Sequence, residues 1–208
     1  MLKKDPLMVD VSRLMRFPIL IVGNWIFHGF LYMDRTEKAF FILLDSIFFA
    51  PLFCLVVAIS TSVIYAVLVA LLIGHTAHWF FNGHIYVLVK KLGCGHTDKT
   101  RFEGYMTELS KRVARERSIK AAAIFGSISR DQLTERSDMD VRVIRRGGVI
   151  NGARACLFTF LERSRALHDR FPLDIYTLDS LAGLEKLRPD EAPVVLYDPD
   201  HILRGFLK

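Results

Sequence analysis

Between Ala39 and Val89 one formally charged residue, Asp45, interrupts 51 consecutive positions. About 20 apolar residues make one helical bilayer crossing, so this stretch is long enough for two. The segments "AFFILLDSIFFAPLFCLVVA" (39–58) and "TSVIYAVLVALLIGHTAHWFF" (61–81) are the expected spans, with Ser60, Thr61 and Ser62 in the turn between them. A single long crossing near 47–73 is the competing arrangement, and a buried helical core is the competing environment. Pro51 removes one backbone donor and is expected to kink the first span. The earlier run "FPILIVGNWIFHGFLYM" (17–33) is shorter and holds Asn24 and His28, so the pattern predicts a helix lying in the membrane interface.

After Lys91 the pattern changes. Residues 93–104 read as a linker, and 105–118 as an amphipathic helix with Met106, Leu109 and Val113 inward. Its opposite face, with Lys111, Arg112, Arg115 and Arg117, reads as solvated or lipid-touching. "IKAAAIF" (119–125) is a buried strand and "MDVRVI" (139–144) an alternating one. Residues 153–171 are helical and "PLDIYTL" (172–178) is a third strand. "APVVLYD" (192–198) is a fourth strand or a helix approach. Strands alternating with helices give an α/β or α+β class, here a small mixed-sheet domain over 105–208 behind a helical transmembrane hairpin within 1–92.

Charge sharpens this division. Residues 1–95 hold 8 of the 28 Lys and Arg and 5 of the 22 Asp and Glu, so the second half is far denser in charge. The mean hydropathy of +0.28 is high for a purely soluble chain. Basic residues flank the apolar stretch on both sides: Arg35 and Lys38 before it, Lys90 and Lys91 after it. Basic flanks favour the cytoplasmic side, so an even number of crossings keeps all of them there. A cleaved signal peptide is not expected, because no small-residue cleavage pattern follows the N-terminal basic residues. Six residues in from Ala39, Asp45 is expected to reach the interface, although a carboxylate inside a span also fits a headgroup or basic partner. Cys54, Cys94 and Cys156 form no disulfide or paired metal spacing, and Cys156 is expected in the core. His75, His78, His84 and His96 fit no standard zinc spacing. Asn82 and His84 are candidate liners of a lipid-headgroup pocket.

The candidate chemistry lies in "IFGSISRDQLTERSDMDVRVI" (124–144). Gly126 permits a sharp turn and close ligand approach, and successive amides at such a turn bind anions. Asp138 and Asp140 stand at i and i+2, so on a strand they share a face. Two carboxylates so placed repel unless a cation lies between them, and Mg²⁺ takes one or two carboxylates plus substrate phosphates. Asp174, between Leu173 and Ile175, would complete an acidic trio if its strand pairs beside 139–144. It is a candidate base for an attacking hydroxyl.

These residues resemble the DNA polymerase beta nucleotidyltransferase superfamily, especially its small stand-alone members. Phe125-Gly126-Ser127, Asp138-Met139-Asp140 and Leu173-Asp174-Ile175 match the three parts of its signature, over roughly residues 105–200. The resemblance implies transfer of a nucleoside monophosphate from an NTP to an acceptor, commonly a hydroxyl, with release of pyrophosphate. It implies Mg²⁺ or Mn²⁺ at Asp138, Asp140 and Asp174, and phosphate contacts from Gly126, Ser127 and Arg130. Asp131 and Ile128 depart from residues common at those places, which bears on nucleotide choice rather than on the metal positions. The anchor points to a lipid or lipid-linked acceptor at the cytoplasmic face rather than nucleic acid. A protein- or RNA-modifying transferase of the toxin–antitoxin kind and a non-catalytic nucleotide-binding scaffold are the alternatives. So small a domain leaves little wall for an acceptor, so the membrane surface or a second copy is expected to complete the site.

Overall fold

The computed structural model describes residues 18, 19, 21–27, 29–83, 98–128, 134, 137–186 and 192–206. The two apolar stretches form helices α1 (Arg35–Ile59) and α2 (Val63–Phe81), both long and apolar enough to span a bilayer. Helix α1 continues through Pro51. The Ser62 hydroxyl accepts from the Tyr65 amide and so caps α2 after the tight Ser60–Ser62 turn. Ala66, Ala70 and Gly74 recur every four residues on α2 and are buried against α1. A Cβ on Gly74 would lie 3.2 Å from the Phe48 backbone, so the small residues set how closely the two helices approach. The outer faces, among them Ile42, Leu43, Ile47, Leu68 and Leu72, are exposed. Residues 21–27 are helical, within the predicted interfacial segment. The Trp25 indole donates to Thr76 and the Trp79 indole to Asn24, which fastens that stretch to the end of α2.

The second half is a four-stranded mixed sheet in the order β3-β2-β1-β4. Its strands are β1 (Ile119–Phe125), β2 (Met139–Arg145), β3 (Leu173–Leu178) and β4 (Val194–Tyr197). Strand β1 is antiparallel to both β2 and β4, while β2 and β3 are parallel and joined through helix α4 (Val149–His168). Helix α3 spans Lys99–Arg115, capped by the Asp98 carboxylate accepting from the Arg101 amide at 2.6 Å. It therefore takes in residues expected to be linker, because Asp98 supplies a cap there and Phe102 adds a buried anchor one turn earlier. Helix α4 starts four residues before its predicted start, after Gly148 at φ 94°. Residues 192–198 resolve into strand β4, not a helix approach.

Alternation along the strands separates the two sheet faces. Ile124, Met139, Val141, Val143, Leu173 and Ile175 join Phe102, Leu109 and Val113 of α3 in the main core. Ala121, Ala123, Phe125 and Leu178 face the other way, against Leu184 and Leu203. Asp140, Arg142 and Asp174 share this second face and are half-buried.

The apolar hairpin is not loosely tethered to the sheet. Strand β3 is a sheet edge, and Glu37 of α1 accepts from its Thr177 amide at 2.9 Å. The same carboxylate accepts from Arg163 of α4 at 2.5 Å, and Arg163 also donates to Asn82 and to the Ile175 carbonyl. Nearby, Asp34 accepts from the Asp179 amide, while Asp179 accepts from the Thr36 amide and from Arg145. Asn82 is buried in this junction, so it does not line a headgroup pocket as the sequence suggested. Burial depresses the Arg163 guanidinium, but the adjoining Glu37 charge outweighs this and holds it above its ordinary value. Arg112 is likewise more than a solvated residue: it makes a two-pronged bond to the buried Glu162 carboxylate.

Candidate active site

The Gly126-Ser127 bend follows directly from β1, whose last residue, Phe125, pairs with Asp140. Gly126 adopts φ +84°, a conformation glycine takes without strain. A Cβ there would lie 2.5 Å from Oδ2 of Asp140, so the missing side chain is what lets the carboxylate sit against the bend. The buried Ser127 hydroxyl has no hydrogen-bond partner among the described residues. An unanswered buried hydroxyl costs free energy, and a ligand oxygen at the bend would satisfy it.

Across the sheet, Asp140 of β2 stands directly beside Asp174 of parallel β3. Adjacent strands lie about 4.8 Å apart, so side chains of one face at matched register are neighbours. The sheet thus brings together two of the three acidic residues predicted. Asp138 lies one residue ahead of β2, half-buried, next to Ser137, whose hydroxyl accepts from the Thr134 amide at 3.0 Å. Among the described residues no three His, Cys, Asp or Glu side chains converge closely enough to hold a metal ion. The donor chemistry nonetheless fits a hard cation: the Asp140 and Asp174 carboxylates share a face, and substrate phosphate oxygens complete such sites. Arg130 and Asp131 lie outside the described residues.

Two neighbours of the acidic pair escaped the sequence reading. Arg142, two residues past Asp140 on the same face, lies with its guanidinium 4.8 Å from the Tyr176 ring centre. Arg163 approaches that ring at 5.1 Å. Burial, and next the Asp174 charge, push the Tyr176 phenol well above its ordinary value. The i, i+2, i+4 run Asp138, Asp140, Arg142 was the available signal, since it places a cation beside two anions on one strand face. Tyr176 carried no such signal, because its neighbours come from β2, α4 and the segment from Tyr32 to Phe41, all distant in sequence.

The histidines near the hairpin end serve a different group. His75 places Nδ1 3.0 Å from Asp45, and His78 places its Nδ1 3.0 Å from the same carboxylate. His84, Cys94 and His96 lie outside the described residues. Cys156 is buried in α4, where burial pushes its thiol up to about 12.

Residues 106–177, about a third of the chain, match a protein family described as a nucleotidyltransferase domain. The matched span begins in α3 and ends in β3, and so contains the bend, both strands of the acidic pair and all three predicted carboxylates. It supports nucleotidyl transfer as the general activity and an NTP as substrate. A search of curated proteins gives no match.

Proposed function

We propose that the protein is a membrane-anchored, divalent-metal-dependent nucleotidyltransferase that moves a nucleoside monophosphate from an NTP to a lipid or lipid-linked hydroxyl. The observation that carries this reading is the register of Asp140 with Asp174, with Gly126 seated against Asp140. In this reading Asp138, Asp140 and Asp174 hold Mg²⁺ or Mn²⁺, which when bound neutralises charge on the phosphoryl oxygens. The Gly126-Ser127 amides and the Ser127 hydroxyl donate to the β- and γ-phosphates, with Arg130 as a further phosphate ligand. Asp174 accepts the proton of the acceptor hydroxyl. The new bond joins that oxygen to the α-phosphorus, the α–β bridging bond breaks, and pyrophosphate leaves. Such transfer depends on positioning and charge stabilisation more than on covalent chemistry. Arg142, a cation on the same face, is placed to meet phosphate oxygens.

The membrane half of the reading rests on α1 and α2 and on an apolar stripe on α4. Val149, Ile150, Leu157 and Leu161 of α4 are 88%, 77%, 46% and 52% exposed, at helical spacing along one face. Beside them a cavity of about 450 Å³ runs to Phe40 and Leu43 of α1. This stripe continues the apolar surface of the hairpin onto the transferase half, as expected of a domain resting on a bilayer with its site on the cytoplasmic side.

Incubation with labelled NTPs, Mg²⁺ or Mn²⁺, and separately total lipid, RNA or protein tests the reading. Label in the lipid fraction, lost in Asp138→Asn and Asp140→Asn chains, is the expected result. Label confined to RNA or protein overturns the acceptor, and no transfer to any fraction favours a nucleotide-binding scaffold.

A further inference from the structure

A second cavity of about 450 Å³ lies on the other side of α1, between that helix, α2 and the helical stretch 21–27. Its walls include Phe30, Phe41 and Phe49, and its polar groups are Asp45, Ser46 and His75. The volume falls within the roughly 300–1,000 Å³ of ordinary small-ligand pockets, and a few polar groups in apolar walls are what such pockets present. We infer that this cavity binds a neutral lipid carrying one free hydroxyl, with that hydroxyl donating to Asp45.

Three observations select this ligand. The first is depth. His75 Nε2 meets the Trp25 carbonyl at 2.9 Å, and the Trp25 and Trp79 indoles bond Thr76 and Asn24 at the same level. Tryptophans mark the headgroup boundary, so Asp45 lies where a lipid's polar group sits, with Phe49 one turn deeper along α1 and Leu71 one turn deeper along α2, where its chains begin. The second is charge. His75 faces a carboxylate with Nδ1 and a carbonyl with Nε2, both of which only accept, so both ring nitrogens donate. The Asp45 charge is thereby answered within the protein, which leaves no surplus charge for a phosphate or an ammonium. The third is acceptor capacity. Oδ1 of Asp45 takes His75 and His78, while Oδ2 takes His75 alone, and the side chain is 32% exposed at the cavity. A neutral O–H is the group that uses the remaining lone pair.

This inference rests on the membrane reading of α1 and α2, not on the transfer reaction. The test uses the full chain in nanodiscs with a diacylglycerol that carries a diazirine and an alkyne on its chains. The matched control is its O-methyl ether, which keeps the chains but lacks the donor. Labelling within residues 41–49 and 71–75 at about fivefold higher yield from the alcohol is expected, equivalent to ~1 kcal/mol. Asp45→Asn is expected to narrow that ratio, and the ether comparison in the unaltered chain stands even if this variant folds poorly. Equal labelling by alcohol and ether, or label spread evenly over the outer faces of both helices, overturns the inference alone. Release of the chain from membranes by alkaline carbonate overturns the membrane reading and the inference with it.

Discussion

Gly126 and Asp140 occupy the same few ångströms: a Cβ on the glycine would lie 2.5 Å from the carboxylate Oδ2. The bend and the acidic strand are thus one structural unit, although 14 positions separate them in the chain. Gly126→Ala must either displace Asp140 or strain a backbone held at φ +84°. A folding cost of about 1–3 kcal/mol is expected. Nucleotidyl transfer should fall at least ~100-fold, the scale of losing one preorganised charge contact. Turnover measured on folded protein, with circular dichroism to confirm the fold, checks both numbers.

Asp174→Asn is expected to lower transfer by about 10²–10⁴-fold, the range for a positioned acid or base. Because Asp140 and Asp174 stand side by side and would act as a unit, the double Asn variant should be little worse than either single one. Fully additive losses in single-turnover assays would show that the two carboxylates act separately.

The junction of hairpin and sheet makes a stability prediction. Glu37 and Arg163 are both buried, and each is the other's charge partner. Arg163→Met should destabilise the protein by about 3–5 kcal/mol, since it strands a buried carboxylate. Replacing Glu37 as well, in a Glu37→Leu/Arg163→Met chain, should recover part of that loss. Thermal unfolding in one detergent, compared across the three variants, measures the recovery.

Asp179 sets an expectation for acid. Burial alone would raise its carboxyl, but hydrogen bonds from Thr36 and Arg145 outweigh that and hold it below its ordinary value. A depressed folded-state value means that the group stabilises the fold above the unfolded value of about 4, and that this contribution fades as pH drops further. Asp179→Asn should therefore show a shallower loss of stability below about pH 4 than the unaltered chain. Denaturant midpoints taken from pH 6 down to pH 3 provide the comparison.

Cys156 offers a chemical check on the fold. With its thiol raised to about 12 and its side chain buried, it should resist alkylation at neutral pH. In a chain where Cys156 is the sole cysteine, iodoacetamide is expected to react only after denaturation. Rapid labelling of the native protein would place α4 elsewhere.

Local pattern was enough for much of the architecture. A long run of apolar residues marks a long apolar helix whatever surrounds it, and α1 and α2 lie within a few residues of the expected bounds. Strand β1 falls at the expected 119–125, because five buried apolar side chains in a row suit a central strand flanked on both sides. Helix α3 begins six residues before the expected 105, and the local signal for this was Asp98, which directly precedes the helix and whose carboxylate accepts from the Arg101 amide three residues on. The small-residue period Ala66, Ala70, Gly74 was equally visible, and it sets the helix contact.

By itself, then, the sequence determined what depends on neighbours along the chain: the two apolar helices, the alternating strands, and a glycine-serine bend followed by two carboxylates at i and i+2 at the start of a strand. Only the tertiary structure decided that β3 runs parallel beside β2 and so sets Asp174 against Asp140. It alone joined Glu37 to Arg163 across 126 residues and gave Asp45 two histidines from the other helix. The physical reason is that periodicity reports which face of an element is buried, whereas the partner on that face is chosen by packing and hydrogen bonding between segments far apart in sequence.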